Sequence, residues 1–182
     1  SMPSLREGIV NFIYRTATGA KRTRVLLTPV VGGTFFCFVL ATIFGALYLD
    51  RVFRLPPFPT GISAVVASLP FFAFGGWIWA WSGWRFLKTR GTPVPVNPPP
   101  VLITDGPYAY SRNPMMTGLF LLMAGIGILF GSISLTFAMT PLFALACILE
   151  IKYIEEPELE KRFGKAYVEY CARTPRILPR FR

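Results

Sequence analysis

Long apolar stretches alternate with short polar ones along most of this chain. Four apolar runs, at residues 25–49, 62–87, 115–130 and 133–154, are separated by segments rich in polar residues, glycine or proline. A helix that crosses the hydrocarbon core of a bilayer needs about 20 apolar residues. The first two runs exceed that length, and the third is shorter. The pattern therefore predicts an all-α fold, a polytopic membrane helix bundle with about four transmembrane helices.

The two ends of the chain show a different, amphipathic pattern. Leu5, Ile9, Phe12 and Ile13 recur on roughly one face of a helix within residues 4–20, so this segment is either an amphipathic helix at the membrane interface or an ordinary lead-in to the first span. Near the other end, aromatic and aliphatic residues recur at helical spacing from Pro157 to about residue 172. There the spacing predicts a C-terminal cytoplasmic helix whose aromatic face packs on the bundle.

The order of these segments predicts one membrane-embedded domain over residues 1–182. Its parts are an N-terminal interfacial segment (1–24), a first helical hairpin (25–87), a proline-rich cytoplasmic linker with a first motif (88–113), a second helical hairpin (114–154) and a C-terminal segment with a second motif (155–182).

Composition and charge agree with a membrane location. The chain is 53% hydrophobic and only 15% charged, which is typical of an integral membrane protein. Its net charge of +10 comes from basic residues beside the apolar runs rather than from a basic stripe with stacking aromatics. We therefore expect contacts with membrane lipids and no nucleic-acid partner. The placement of Lys and Arg also predicts that both termini lie on the cytoplasmic side.

Several kinds of chemistry are excluded by residue type. The sequence has no histidine, which rules out Ser-His and Cys-His catalysis and histidine-ligated metal sites. Its three cysteines, Cys37, Cys147 and Cys171, form no C-x-x-C pair. We expect free thiols and no metal site.

Two polar motifs flank the second predicted hairpin. One reads Gly-Pro-Tyr-Ala-Tyr-Ser-Arg-Asn-Pro over residues 106–114, and the other begins at Glu155 and runs to Arg176. If the residues between them cross the membrane and return, both motifs lie on the same side. Tyrosines that anchor at the interface and acidic residues that complement a helix dipole would explain part of this pattern. They explain Glu155 and Glu156 less well, because carboxylates where a span leaves the membrane are costly and often functional.

The order and spacing of these motifs resemble the isoprenylcysteine carboxyl methyltransferase family, and the related phospholipid methyltransferases are similar. The resemblance covers roughly residues 90–180 and rests on the residues that follow: Gly106, Pro107, Tyr108, Arg112, Asn113, Pro114, Glu155, Glu156, Leu159, Phe163, Gly164, Tyr167, Tyr170, Pro175 and Arg176. It implies a membrane enzyme that holds S-adenosylmethionine at the cytoplasmic ends of the last spans, under the C-terminal helix.

The resemblance also implies roles for individual residues. Glu156 would face the cofactor or the reacting centre as a catalytic residue, and Arg162 would act with it, holding an anionic group of the substrate. The implied cofactor-binding residues are Tyr108, Arg112, Asn113, Pro114, Glu155, Tyr167, Tyr170 and Arg176. Two positions depart from the family pattern, since Asn113 replaces the usual histidine and Met116 a tyrosine. An asparagine still offers a hydrogen bond but carries no charge.

Substrate and activity stay open at this point. The implied partner is a lipophilic small molecule, a prenylated protein or a lipid, methylated at a carboxylate such as that of an isoprenylcysteine or at a lipid amine. A carboxylate acceptor needs no general base, whereas an amine must lose a proton to Glu155, Glu156 or a tyrosine. A nicotinamide-dependent membrane reductase of related architecture is one alternative. A non-enzymatic membrane protein that kept the fold is the other, and the oligomeric state is unassigned.

Overall fold

The computed structural model describes residues 4–89 and 91–178, and these residues form six helices without a strand. The helices are α1 (Leu5–Thr18), α2 (Lys21–Val52), α3 (Gly61–Lys88), α4 (Pro114–Leu129), α5 (Ser134–Phe163) and α6 (Lys165–Arg173). A short 3₁₀ turn, Gly106–Ala109, lies in the linker between α3 and α4. The predicted all-α fold is confirmed.

Three of these helices, α2, α3 and α5, are long and apolar enough to cross a membrane. The fourth apolar helix, α4, has 16 residues and is therefore about 24 Å long, shorter than a hydrocarbon core of about 30 Å. Large apolar side chains on α2 and α3 point outward, among them Phe36, Phe44, Val66 and Phe74. Such a surface is suited to lipid, and the prediction of a helical membrane bundle is confirmed.

Helices α3 and α4 pack closely because glycines meet at their contact. A Cβ added to Gly75 would lie 2.9 Å from the carbonyl oxygen of Gly118, and one added to Gly118 would lie 2.8 Å from that of Gly75. Small residues let membrane helices approach in this way. The sequence suggests close packing at Gly75 and Gly76 together, but only Gly75 faces α4, and a Cβ on Gly76 would meet nothing within 4 Å.

Helix α5 contains two widened, π-helical turns, Ser134–Met139 and Ile151–Glu155, and each precedes a proline. Pro141 and Pro157 have no N–H for the carbonyl four residues earlier, so the regular bonding pattern fails there and the helix widens instead of ending. The predicted start of a separate surface helix at Pro157 is therefore wrong. The break comes at Gly164, where φ is +56°, a conformation that favours glycine.

At one end of the bundle the α2–α3 loop is tied to the α4–α5 turn. The Asp50 carboxylate accepts a hydrogen bond from the Ser134 backbone N–H at 3.0 Å and another from the Ser132 hydroxyl. The Phe58 N–H donates to the Gly131 carbonyl at 3.1 Å. Asp50 thus satisfies the otherwise unpaired N–H of Ser134 at the start of α5.

The core lies between α2, α4 and α5. Its buried residues are Val39, Ala46, Met123, Leu135, Phe143 and Cys147. At the end away from Asp50, the linker, the start of α4, the end of α5 and α6 come together. Residues 4 and 178, the described ends of the chain, also lie at this end, because α1 contacts α5 there and Ile177 contacts Thr117. The side of the membrane that the two termini face stays a prediction.

Candidate functional site

A cavity opens where the linker, α5, α6 and α1 meet. It holds about 820 Å³ of empty space, including the part that opens to solvent. Seven of the ten residues predicted from the sequence to form the site line it: Tyr108, Arg112, Asn113, Glu155, Arg162, Tyr167 and Tyr170. The hairpin formed by α4 and α5 therefore brings the two motifs to one place.

The other three predicted residues lie beside the cavity rather than in its wall. Pro114 is buried as the first residue of α4. Glu156 and Arg176 form an ion pair next to the cavity, with Arg176 Nε 2.7 Å from Glu156 Oε1 and Arg176 Nη2 2.8 Å from Oε2. Arg112 Nη1 is also 2.8 Å from Glu156 Oε1. The hydrogen bond to Glu156 raises the pKa of Arg176 above its ordinary value.

Glu156 therefore links the two motifs. Its side chain is only 15% exposed. Its carboxylate forms ion pairs with the guanidinium of Arg112, from the first motif, and with that of Arg176. Arginine pairs of this bidentate kind fix geometry as well as charge. This arrangement fits a positioning role for Glu156, which holds Arg112 at the cavity wall, better than a role in the reaction itself.

The C-terminal residues 174–178, here called the strap, lie against the first motif. The Arg112 N–H donates to the Pro175 carbonyl at 2.8 Å, and the Asn113 N–H to the Arg176 carbonyl at 3.1 Å. The Asn113 side-chain Nδ2 donates to the same Arg176 carbonyl at 3.2 Å. Ile177 accepts from the hydroxyls of Ser111 and Thr117. An uncharged amide donor at position 113 thus holds the strap without needing a histidine's charge.

The tyrosines of the site are buried donors. Tyr170 donates its hydroxyl to the Tyr108 carbonyl at 2.6 Å, which joins α6 to the first motif. Burial, with the nearby Glu155 carboxylate, raises the pKa of Tyr108 well above its ordinary value. Burial raises the pKa of Tyr167 and of Tyr170 in the same direction. All three hydroxyls therefore keep their protons at neutral pH, which argues against a tyrosine as the proton acceptor.

Three carboxylates of α5, those of Glu150, Glu155 and Glu158, line the cavity. Glu158 lies 3.2 Å from Arg162 Nε, and Arg162 also donates to the Pro99 carbonyl at 3.3 Å. Neither Glu150 nor Glu155 accepts a hydrogen bond or forms an ion pair with any described residue. Two uncompensated carboxylates in one cavity favour a ligand that carries positive charge.

Sequence reasoning missed Glu150. In a straight α-helix it would lie about 140° around the axis from Glu155, on a different face. The π-helical turn Ile151–Glu155 between them has more residues per turn, which reduces this angle and brings both side chains to the cavity. The available signal was Pro157, since a proline inside a continuous helix often accompanies such a turn.

The proline-rich linker forms part of the cavity wall, which its sequence pattern does not indicate. Several of its residues form the apolar wall of the cavity: Pro93, Val94, Pro95, Pro98, Pro99, Val101, Leu102 and Ile103. Phe86 of α3 completes this wall and meets Tyr108 edge to face, with 5.9 Å between ring centroids. Prolines hold an extended chain without needing backbone donors, which suits a wall that lies over a cavity.

Charge is divided within the site. Arg112 and Arg176 surround the single carboxylate of Glu156, whereas Glu150, Glu155 and Glu158 lie near the single arginine Arg162. An apolar and aromatic wall lies beside them. The cavity therefore suits a ligand with an anionic group, a cationic group and a flat ring. The described residues contain no cluster of His, Cys, Asp or Glu that could hold a metal ion.

Comparison with known proteins assigns the chain to a family. Residues 63–166, more than half of the chain, match the sequence model described as phospholipid methyltransferase. The protein belongs to the phospholipid methyltransferase family. No curated protein and no solved structure gives a significant match.

The matched region of this phospholipid methyltransferase family member extends from α3 to the start of α6. It includes the first motif and the α5 residues Glu155, Glu156 and Arg162, whereas α1, α2 and the strap lie outside it. The resemblance drawn from the motifs is thereby confirmed. A membrane methyltransferase is accordingly the class that the family indicates, and nothing in the match points to the reductase alternative.

Proposed function

We propose that the protein is an integral membrane methyltransferase that uses S-adenosylmethionine to methylate a lipophilic acceptor. One observation carries the proposal. Two motifs more than 40 residues apart meet around a single cavity, in a chain of the phospholipid methyltransferase family.

The residues of the cavity fit this cofactor. S-adenosylmethionine carries a sulfonium, an ammonium, a carboxylate and a flat adenine. Glu150 and Glu155, which have no ionic partner among the described residues, would face its positive groups. Arg112 would hold its carboxylate, and the aromatic wall at Phe86 and Tyr108 would receive the ring. When bound, the cofactor supplies an activated methyl group, and the protein supplies orientation and electrostatics.

The chain's own residues then have distinct tasks. The proline-rich wall shields one side of the cavity from water, which strengthens the electrostatic interactions there. Glu156 holds Arg112 and Arg176 in place. Arg162, fixed by Glu158 and Pro99, would hold an anionic group of the acceptor. If the acceptor is an amine, Glu155 is the free carboxylate that can take its proton, and a carboxylate acceptor requires none.

The surroundings of the cavity support the proposed acceptor class and membrane side. Exposed apolar helix surfaces lead to the end of the bundle at which the cavity lies, so a lipophilic acceptor, either a lipid amine or an isoprenylcysteine-like carboxylate, can reach the site from the bilayer. The concentration of Lys and Arg at the same end supports a cytoplasmic site with both termini on that side.

The test is binding followed by transfer. We expect isothermal titration calorimetry of the detergent-purified protein to show saturable binding of S-adenosylmethionine, and we expect NADPH to give none. Incubation with methyl-labelled cofactor and total membrane extract should then label either the lipid or the protein fraction, which identifies the acceptor class. Binding of NADPH alone would support a reductase, and binding of neither would support a non-enzymatic protein.

A further inference from the structure

The N-terminal helix α1 contacts the site, although it lies outside the region that matches the family. Arg6 Nε donates to the Tyr153 carbonyl at 3.0 Å, and its guanidinium lies over the Tyr153 ring. Lys161 Nζ of α5 donates to Asn11 Oδ1 at 2.6 Å. Ile13 contributes to the cavity wall. Helix α1 is thus attached at several points to the part of α5 that carries the carboxylates.

The carbonyl that Arg6 binds has a particular reason to need a donor. In a regular helix the Tyr153 carbonyl would accept from the N–H of residue 157, but that residue is Pro157, which has none. Arg6 supplies a side-chain donor to this carbonyl from another helix. It does so within Ile151–Glu155, the π-helical turn that brings Glu150 and Glu155 to the cavity.

A second face of α1 has no partner in the described chain. Leu5, Ile9 and Phe12 follow one another at helical spacing, and their side chains are 84%, 42% and 59% exposed. These three residues are here called the stripe. The N-terminus of α1 is capped, because Ser4 and Glu7 form a reciprocal capping box.

The position of α1 in the chain indicates what covers the stripe. Thr18 ends α1, and only two residues separate it from Lys21, the first residue of the membrane-spanning α2. The helix must therefore lie at the membrane surface, where an amphipathic helix buries its apolar side at the boundary of headgroups and acyl chains. Arg15, Lys21 and Arg22 are exposed beside it, and such a basic cluster is attracted to anionic headgroups.

We propose that α1 is a membrane-surface helix that holds the site in its working shape. Its stripe binds the surface of an anionic bilayer, and its neighbouring side, through Arg6, holds the π-helical turn of α5 that carries Glu150 and Glu155. The effect on cofactor binding rests on the proposed function, whereas the bilayer contact and the effect on the turn do not.

The bilayer contact is tested by hydrogen–deuterium exchange in nanodiscs. We expect the amides of residues 5–18 to exchange at least about threefold more slowly in phosphatidylglycerol-containing nanodiscs than in phosphatidylcholine-only ones, because both the stripe and the basic residues engage the anionic surface. The double variant L5N/F12N should lose this difference, and T18N, at an exposed position of the same helix, should keep it. Equal exchange in both nanodiscs, or the same pattern in L5N/F12N as in the unaltered protein, would overturn the proposal.

The role of Arg6 is tested by a double-mutant cycle with Pro157. We expect R6M to speed exchange of amides 151–160 several-fold, because the Tyr153 carbonyl loses its donor, and R6K to restore most of the protection. In a P157A background, which returns an N–H to this carbonyl, R6M should have little further effect. Equal effects of R6M in both backgrounds would mean that Arg6 acts elsewhere.

Affinity for S-adenosylmethionine, measured in parallel, separates the two proposals. If the unaltered protein binds no cofactor but the exchange results stand, the proposed function fails and the role of α1 does not. If the cofactor binds equally well to R6M and to the unaltered protein, the link between α1 and the site is wrong.

Discussion

At the scale of single residues, the most informative contrast is between two adjacent glutamates. Glu156 is held by two arginines, with N···O distances of 2.7–2.8 Å. Glu155 lines the cavity and pairs with no described residue. Identical side chains one position apart therefore have different physical roles. Glu156 balances the charge of two arginines inside the folded protein, whereas Glu155 presents its carboxyl group to the cavity.

This contrast predicts opposite effects of the same substitution. Glu156→Gln should lower the free energy of unfolding by about 1–3 kcal/mol, because two arginines lose their counter-ion. This value lies between those for removing one partner of an exposed and of a buried salt bridge. Glu155→Gln should leave stability unchanged or slightly raised, since it removes a buried carboxyl group that accepts no hydrogen bond from a described residue. It should weaken S-adenosylmethionine binding about tenfold or more, which corresponds to at least about 1.4 kcal/mol. Thermal unfolding in detergent and calorimetry measure the two quantities.

Each variant is the other's control, because the chemical change is the same and the positions are adjacent. A large loss of thermal stability in Glu155→Gln would mean that this carboxylate has a structural partner. Unchanged stability in Glu156→Gln would remove the positioning role given to it here.

At the scale of helices, prolines and glycines decide the geometry of this bundle. Pro141 and Pro157 widen α5 into π-helical turns without ending it. Gly75 and Gly118 allow α3 and α4 to come into backbone contact. Neither effect depends on the hydrophobicity of these helices. The shape of the bundle is therefore set by residues that leave out a donor or a side chain.

The close contact of α3 and α4 predicts different effects at two neighbouring glycines. Gly75→Ala should destabilise the protein by about 1–3 kcal/mol, because the added methyl group overlaps the backbone of α4 and the helices must separate. Gly76→Ala should be neutral or slightly stabilising, since its Cβ faces open space and alanine favours the helix. The midpoint of thermal unfolding in detergent measures both changes. Equal midpoints for the two variants would contradict the observed contact.

At the scale of the whole molecule, each end of the bundle has its own polar closure. One end is tied by Asp50 to the start of α5. The other is closed by the strap, which reaches from the end of α6 to the start of α4. The cavity lies at the second end. Because the strap binds the same loop that supplies Arg112 to the cavity wall, the strap and the site are structurally coupled.

This coupling predicts the effect of a charge at Asn113. In Asn113→Asp, an acceptor replaces the donor that faces the Arg176 carbonyl, and a hydrogen bond of about 1 kcal/mol is lost. We expect faster hydrogen–deuterium exchange in residues 174–178 and weaker S-adenosylmethionine binding. Asn97→Asp is the matched control, since the Asn97 side chain makes no hydrogen bond among the described residues and does not line the cavity. Equal exchange of the strap in both variants would show that Asn113 does not hold it.

Part of the site could be predicted because its residues stand in two recognisable motifs, and a hairpin between them places Tyr108 and Glu155 at the same end. Glu150 could not be found in this way. The side of α5 on which it lies depends on a π-helical turn, and a regular helical period predicts a different side. The proline-rich wall was missed because an extended segment has no periodicity that indicates which surface it covers. The role of Glu156 as a link between two arginines could not be predicted either, because it depends on where the strap places Arg176.

The sequence by itself determined the helical membrane bundle, the location of its apolar helices and the family. These properties follow from local composition and motif order, because a bilayer requires long apolar helices whatever their neighbours are. The tertiary structure alone decided which carboxylates face the cavity, which are neutralised by arginines, and which of two adjacent glycines lies between helices. Those choices depend on the rotation of each helix about its axis and on contacts between residues far apart in sequence, and no local pattern specifies them.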